Sequence, residues 1–131
     1  MIQKSNGFRW AEQKVYKDNP GSWKSVTRQI LLPNNQSRAE LRYFEVAAGG
    51  YSSFEMHEHE HCVVVVRGSG KVRLGDEVTE LELHDAVHVP PKTPHQFQNP
   101  HEEPLGFLCV VDKERDRPIL LDSEGRPKTS D

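Results

Sequence analysis

The chain has 131 residues, the size of one domain, with 34% hydrophobic and 28% charged residues and a formal charge of −3 that leaves seven histidines uncounted. That balance excludes the basic stripe with which a nucleic-acid binder displaces counterions from phosphates. No uninterrupted apolar segment approaches the length that spans a bilayer. The opening MIQKSNGFRWAEQK lacks the apolar stretch of a signal peptide. The expectation is therefore a cytoplasmic protein with neither nucleic acid nor membrane as partner.

In chain order, residues 1–25 form an N-terminal segment without a clear period, whose Phe8, Trp10, Tyr16 and Trp23 should pack on the body of the domain or on a partner subunit. Residues 26–112 then alternate between short apolar segments and turn clusters. Strands are expected at 26–32 (VTRQILL), 40–47 (ELRYFEVA), 51–56, 61–67 (HCVVVVR), 70–74 (GKVRL), 77–83 (EVTELEL), 86–90 (AVHVP), 94–98 (PHQFQ) and 105–112 (LGFLCVVD). PNNQS, AAGG, RGSG, LGD, LHD, PPKTP and NPHEEP separate them, and Gly75-Asp76 suits a hairpin turn. So many short strands with no helical period indicate an all-β fold, with an antiparallel jelly-roll barrel as the closed solution. Residues 113–131 (KERDRPILLDSEGRPKTSD) read as a polar C-terminal tail, mobile beyond Leu121.

The two cysteines, Cys62 and Cys109, stand in apolar runs and form no C-x-x-C pair. They are expected to be buried thiols rather than a disulfide. A small domain with Trp10 and Trp23 on its flank and sheet edges to cover suggests a homodimer.

The chemistry is concentrated in SSFEMHEHEHCVVVVRGSG (52–70), where Glu55, His57, His59 and His61 occupy every second position. On an extended strand these four share a face, with Cys62, Val64 and Val66 on the other. The valine run implies burial on both faces, so His61 should lie inside or at the rim of a core. Buried imidazoles and carboxylates require partners, and a divalent metal satisfies several at once. A straight strand would spread the four over roughly 20 Å, so the segment must bend and one residue turns away. Parity does not say which.

The segment also resembles the cupin superfamily, whose first motif is G-x5-H-x-H-x3/4-E-x6-G and whose second is G-x5-P-x-G-x2-H-x3-N. Counting back from Gly68 reaches His61 at the motif's Glu, then His57, Glu55 and Gly49, so Glu and His are exchanged at the outer positions. HDAVHVPPKTPHQFQN follows the second motif through Pro90, His95 and Asn99, with His84 and Lys92 where the family has glycine. The ending HQFQNPHEEPLGFLCVV is similar to that of small single-domain members. The resemblance covers roughly 40–112.

What it implies is a metal held by Glu55, His57, His61 and His95, with His59 left over as a substrate-mouth residue and candidate proton carrier. Glu55 has a second possible place, orienting an imidazole N–H from behind. Mixed N/O ligation suits one divalent transition metal ion, Mn, Fe, Ni, Co, Cu or Zn. Open coordination positions suit a metal-dependent enzyme, an oxygenase (dioxygenase-like), isomerase or lyase, acting on a small oxygen-rich molecule. The alternative is a non-catalytic cupin that senses or binds a small ligand. His84, His88 and His101 are expected to be structural or loop residues, and Phe97 to limit the cavity beside His95.

Overall fold

The computed structural model describes residues 1–15, 22–34 and 36–128; Tyr16 lies outside them. Among these, the strands are β1 (Lys14–Val15), β2 (Lys24–Leu31), β3 (Ala39–Tyr51), β4 (Glu55–Met56), β5 (His61–Arg67), β6 (Gly70–Leu74), β7 (Glu77–Leu81), β8 (Ala86–Val89), β9 (His95–Gln98), β10 (Leu105–Asp112) and β11 (Ile119–Leu120). No helix occurs among the described residues. Every strand pairing is antiparallel, and all join one curled sheet whose main path runs β11-β4-β9-β3-β10-β5-β8. β2 and β1 extend it beyond β3, and the β6–β7 hairpin joins through β9. The jelly-roll expectation holds.

Alternation along the strands sorts the core from the surface. The inward row of β3 runs Glu40, Arg42, Phe44, Val46, and opposite it on β10 lie Val111, Cys109, Phe107 and Leu105. Phe107 stacks on Phe97 of β9 and on Phe44, with ring centroids 4.5 and 5.5 Å apart. This aromatic stack ties three strands together at the floor of the concave side.

Two expectations about β5 need correction. The valine run is covered on one face only: Val63 and Val65 are buried, whereas Val64 is 37% exposed. Cys62 is likewise exposed, so only Cys109 is a buried thiol; both are free. Valine suits the open face of a pleated sheet as well as its core, so an unbroken run hid a period of two. The Leu74–Glu77 hairpin has Gly75 at a φ of +61° and no positive φ at Asp76, the pattern of a type II′ turn.

Where the family motif has glycine, His84 and Lys92 take glycine's conformation, with φ of +75° and +61°. The turns are kept, at a steric cost of about 1–2 kcal/mol for each side chain in the left-handed region. The Lys92 turn has a positional result, because its N–H donates to the carbonyl of His57 at 2.7 Å.

Both flanks pack on the sheet. Phe8 and Trp10 lie over Tyr43, with centroids 5.8 and 5.2 Å away, and the buried Gln29 side chain bonds the backbone of Phe8, Trp10 and Ala11. Trp23 packs against the core. Beyond β10, residues 113–118 cross from β10 to β11, which pairs with β4. Leu121 is buried, and the chain then turns back so that Lys128 N–H donates to the Leu120 carbonyl at 2.8 Å.

Candidate metal centre

The histidine segment does not continue as a strand. β4 stops at Met56 and β5 starts at His61, leaving residues 57–60 as a bend. The bend's exposed N–H groups find a carboxylate from far along the chain. Asp116 accepts from Glu58 N at 2.8 Å and His59 N at 3.1 Å, and its Oδ1 is 2.8 Å from His59 Nδ1. These bonds, the Glu58 N–H first and the His59 ring next, hold the Asp116 carboxyl well below the usual carboxylate range.

The bend folds alternate side chains into a cluster. His57 and His61 bring their Nε2 atoms to 2.8 Å. β4–β9 pairing sets Glu55 opposite His95, which delivers His95 from forty residues away. Ring centroids are 4.5 Å apart for His57–His61, 4.7 Å for His57–His95 and 5.4 Å for His61–His95, with interplanar angles of 73°, 70° and 69°. Glu55, His57 and His95 are buried, and with His61 they line a pocket of about 490 Å³.

Hydrogen bonding fixes which nitrogens face inward. His57 Nδ1 lies 2.6 Å from the His59 carbonyl and His95 Nδ1 lies 2.8 Å from the Thr93 carbonyl. A carbonyl only accepts, so both Nδ1 atoms carry the proton and both Nε2 atoms offer a lone pair. His61 Nδ1 is 3.0 Å from Cys109 Sγ and 3.4 Å from Arg42 Nη2. Arg42 can only donate, which leaves the His61 proton on Nε2, pointing at His57. Taking up a cation there would require that proton to sit on Nδ1 instead, where the Cys109 sulfur is placed to accept a hydrogen bond from it.

Electrostatics agree with neutral rings. Burial, with His95 and His59 adding to it, lowers the His57 pKa from 6.5 to about 4. Burial pushes His61 further down still, reinforced by His95, His57 and Arg42. Burial raises the Cys109 thiol, so it stays protonated. Uncharged imidazoles are what a divalent cation requires as ligands.

The arrangement fits a metal on its own geometry. Two nitrogens at about 2.1 Å from one ion and at a right angle lie about 3 Å apart, close to the His57–His61 separation. His59 is also near: His57, His59 and His61 place one ligand atom each within 4.8 Å of one another. Its ring, however, stacks face to face on His57 at 3.6 Å and 5°. Two parallel rings cannot both aim in-plane lone pairs at one point; His61 is steep to both His57 and His59, at 73° and 74°.

Several contributors were not visible in the sequence reading. Asp116, Arg42 and Cys109 all touch the histidine cluster, and Lys113, Arg115, Asp116, Arg117 and Pro118 line the pocket. His88 pairs with Glu60 at 2.9 Å on the surface, and His101 is an exposed loop residue. Phe97 lines the pocket beside His95.

Comparison with known proteins follows the same residues. Residues 42–111 match the family model described as a cupin domain. A Rhodospirillum rubrum protein named 1-methylthio-D-xylulose 5-phosphate methylsulfurylase is 42% identical over 116 residues, 86% of this chain and 74% of that protein. An uncharacterized protein of Methanocaldococcus jannaschii is 31% identical over 88 residues, 65% of this chain and 70% of its own. Among solved structures, a cupin-2 domain from Rhodospirillum rubrum superposes with a TM-score of 0.83 at 39% identity, covering 95% of this chain and 84% of that one. A cupin 2 conserved barrel protein from Rhodopseudomonas palustris gives 0.84 at 38%, covering 95% and 87%.

Proposed function

The chain belongs to the cupin domain family, and from that premise we propose that it is a metal-dependent enzyme acting on a small oxygen-rich molecule. One divalent transition metal ion would be held by His57, His61, His95 and Glu55. The observation that carries this reading is the histidine cluster in the pocket wall, where the His57 and His61 Nε2 atoms lie 2.8 Å apart and His95 stands steep to both rings, in a pocket large enough for a small metabolite. When bound, the ion supplies Lewis-acid polarisation of a substrate oxygen.

The chain's own residues do the rest. The His59 and Thr93 carbonyls hold His57 and His95 in the tautomer that presents Nε2. The Cys109 sulfur would accept a hydrogen bond from His61 Nδ1–H in the tautomer that frees His61 Nε2. Phe44, Phe97 and Phe107 close the floor to water. His59, anchored through Nδ1 by Asp116 at the mouth, is the proton carrier of this reading.

The methylthio ketose phosphate in the name of the Rhodospirillum rubrum relative is itself small and oxygen-rich, so it is the first compound to assay. Metal analysis of tag-free protein tests the ligand set. His57→Ala and His95→Ala each lose stoichiometric metal and turnover, His59→Ala retains the metal, and Glu55→Gln weakens the site without emptying it. Loss of metal in His59→Ala with retention in His95→Ala assigns the ion to His57, His59 and His61 instead. The same reading takes the protein as a cytoplasmic homodimer that uses the exposed apolar face around Val64 and Val110; light scattering showing a micromolar monomer counts against the dimer.

A further inference from the structure

Arg42 is a charge that the protein leaves incompletely matched. It is 3% exposed, yet its Nε has no hydrogen-bond partner. Its Nη2 reaches the Cys109 sulfur and the His61 ring, each at 3.4 Å, and both groups are neutral. The carboxylate nearest it, Glu40, stands 3.8 Å from Nε and accepts a 2.9 Å hydrogen bond from Arg115 instead. Two guanidinium groups thus share one carboxylate. A buried guanidinium cannot shed its proton as an imidazole can, and an unmatched buried charge is expensive.

The surplus faces the pocket. Its described lining includes the cationic side chains Arg42, Lys113, Arg115 and Arg117 and the carboxylates Glu40 and Asp116. Asp116 is occupied with the backbone of Glu58 and His59. A cation at the histidines would make the space more positive still, so charge complementarity favours an anionic ligand.

We propose that Arg42 and Arg115 form a subsite for the phosphate monoester of the substrate. The proposal rests on reading this pocket as the substrate site. A carboxylate has two oxygens and is satisfied by one guanidinium fork, whereas a phosphate presents three terminal oxygens and up to two negative charges to more than one donor group. Arg42 Nη2 stands one imidazole ring away from the His61 nitrogen that faces the other histidines. The anionic end and the reacting end of the ligand therefore lie close together, which selects a compact phosphorylated molecule.

Calorimetric titration of the full chain with inorganic phosphate and with acetate tests this, with metal content measured on the same samples. Phosphate is expected to bind at least about tenfold more tightly than acetate. Arg42→Gln should weaken phosphate by about tenfold or more, the usual worth of a charge-assisted hydrogen bond. Arg115→Gln, at a less buried position, should weaken it measurably and guards against a folding defect in the Arg42 variant. Arg126→Gln, on the exposed C-terminal turn, should change nothing. Phosphate binding that survives EDTA treatment separates the arginine subsite from an ion at the histidines, and it stands even where the metal reading fails. Equal phosphate affinity in the wild type and both pocket variants, acetate binding as tight as phosphate, or loss of all phosphate binding with EDTA would overturn the proposal.

Discussion

The imidazole cluster and the Arg42–Arg115 pair occupy one pocket, and their key members are buried to the same depth with opposite results. His57 is 2% exposed and Arg42 3%. For His57, burial removes the proton and uncovers a lone pair. For Arg42 the proton cannot leave, so burial stores a positive charge with a low-dielectric wall behind it. One desolvating environment thus leaves neutral imidazoles on one edge and, one ring away, a positive charge on the other. The Phe97–Phe107–Phe44 stack joins them physically, since Phe97 shares a strand with His95 and Phe44 shares one with Arg42.

Breaking that stack should have the largest effect. Phe107→Ala is expected to cost about 3–5 kcal/mol of stability, as for other buried aromatic deletions, and to weaken metal and phosphate binding together. Urea unfolding gives the first quantity; loss of one ligand with full retention of the other would show that the two edges are independently supported.

The proton balance gives the next test. In metal-free protein, the unfolded chain protonates His57 near pH 6.5 while the folded chain resists until about pH 4. The unfolded state therefore binds more protons across that window, and stability falls as pH falls, by up to about 3 kcal/mol from this residue. His61, whose pKa is also lowered, acts in the same direction. Bound metal deepens the dependence, because protons then also compete with the ion. No such dependence attaches to Arg42, so a urea midpoint that is flat from pH 7 to 4 would remove the contrast.

A smaller and opposite change is expected at Lys92. Its φ of +61° suits glycine, so Lys92→Gly should stabilise by about 1 kcal/mol while leaving the N–H that supports the His57 carbonyl. A destabilised Lys92→Gly variant would mean that the lysine side chain has a role of its own. The smallest effect is local. Asp116→Asn should speed hydrogen exchange at the Glu58 and His59 amides several-fold, with metal stoichiometry unchanged. Loss of metal in that variant would make His59 part of the ion site.

Much of this was legible in the sequence because it depends on local pattern. Each of the nine expected strand segments overlaps an observed strand, since turn residues and apolar alternation mark both ends. β1 and β11, two residues each, carry no pattern of their own and exist only through their partners. The split of 51–56 into the end of β3 and the short β4 was equally invisible, as was the one-sided burial of β5. In both places the local residues suit a strand, and what lies against them decides the outcome.

By itself the sequence determined an all-β chain and a histidine-rich segment that must bend, while His95 was joined to that segment only by the resemblance to the cupin motifs. The first two are consequences of periodicity two, of turn chemistry, and of the impossibility of converging four alternate side chains on a straight strand. Only the tertiary structure decided which rings are steep to one another and which pair stacks, because ring orientation is set by acceptors such as the His59 and Thr93 carbonyls and Asp116. It alone brought Arg42, Cys109 and Arg115 to the histidines. Their arrival depends on the register of β3 against β10 and of β10 against β5, and on residues 113–118 crossing to β4. Long-range pairing of that kind leaves no periodic trace in the residues it joins.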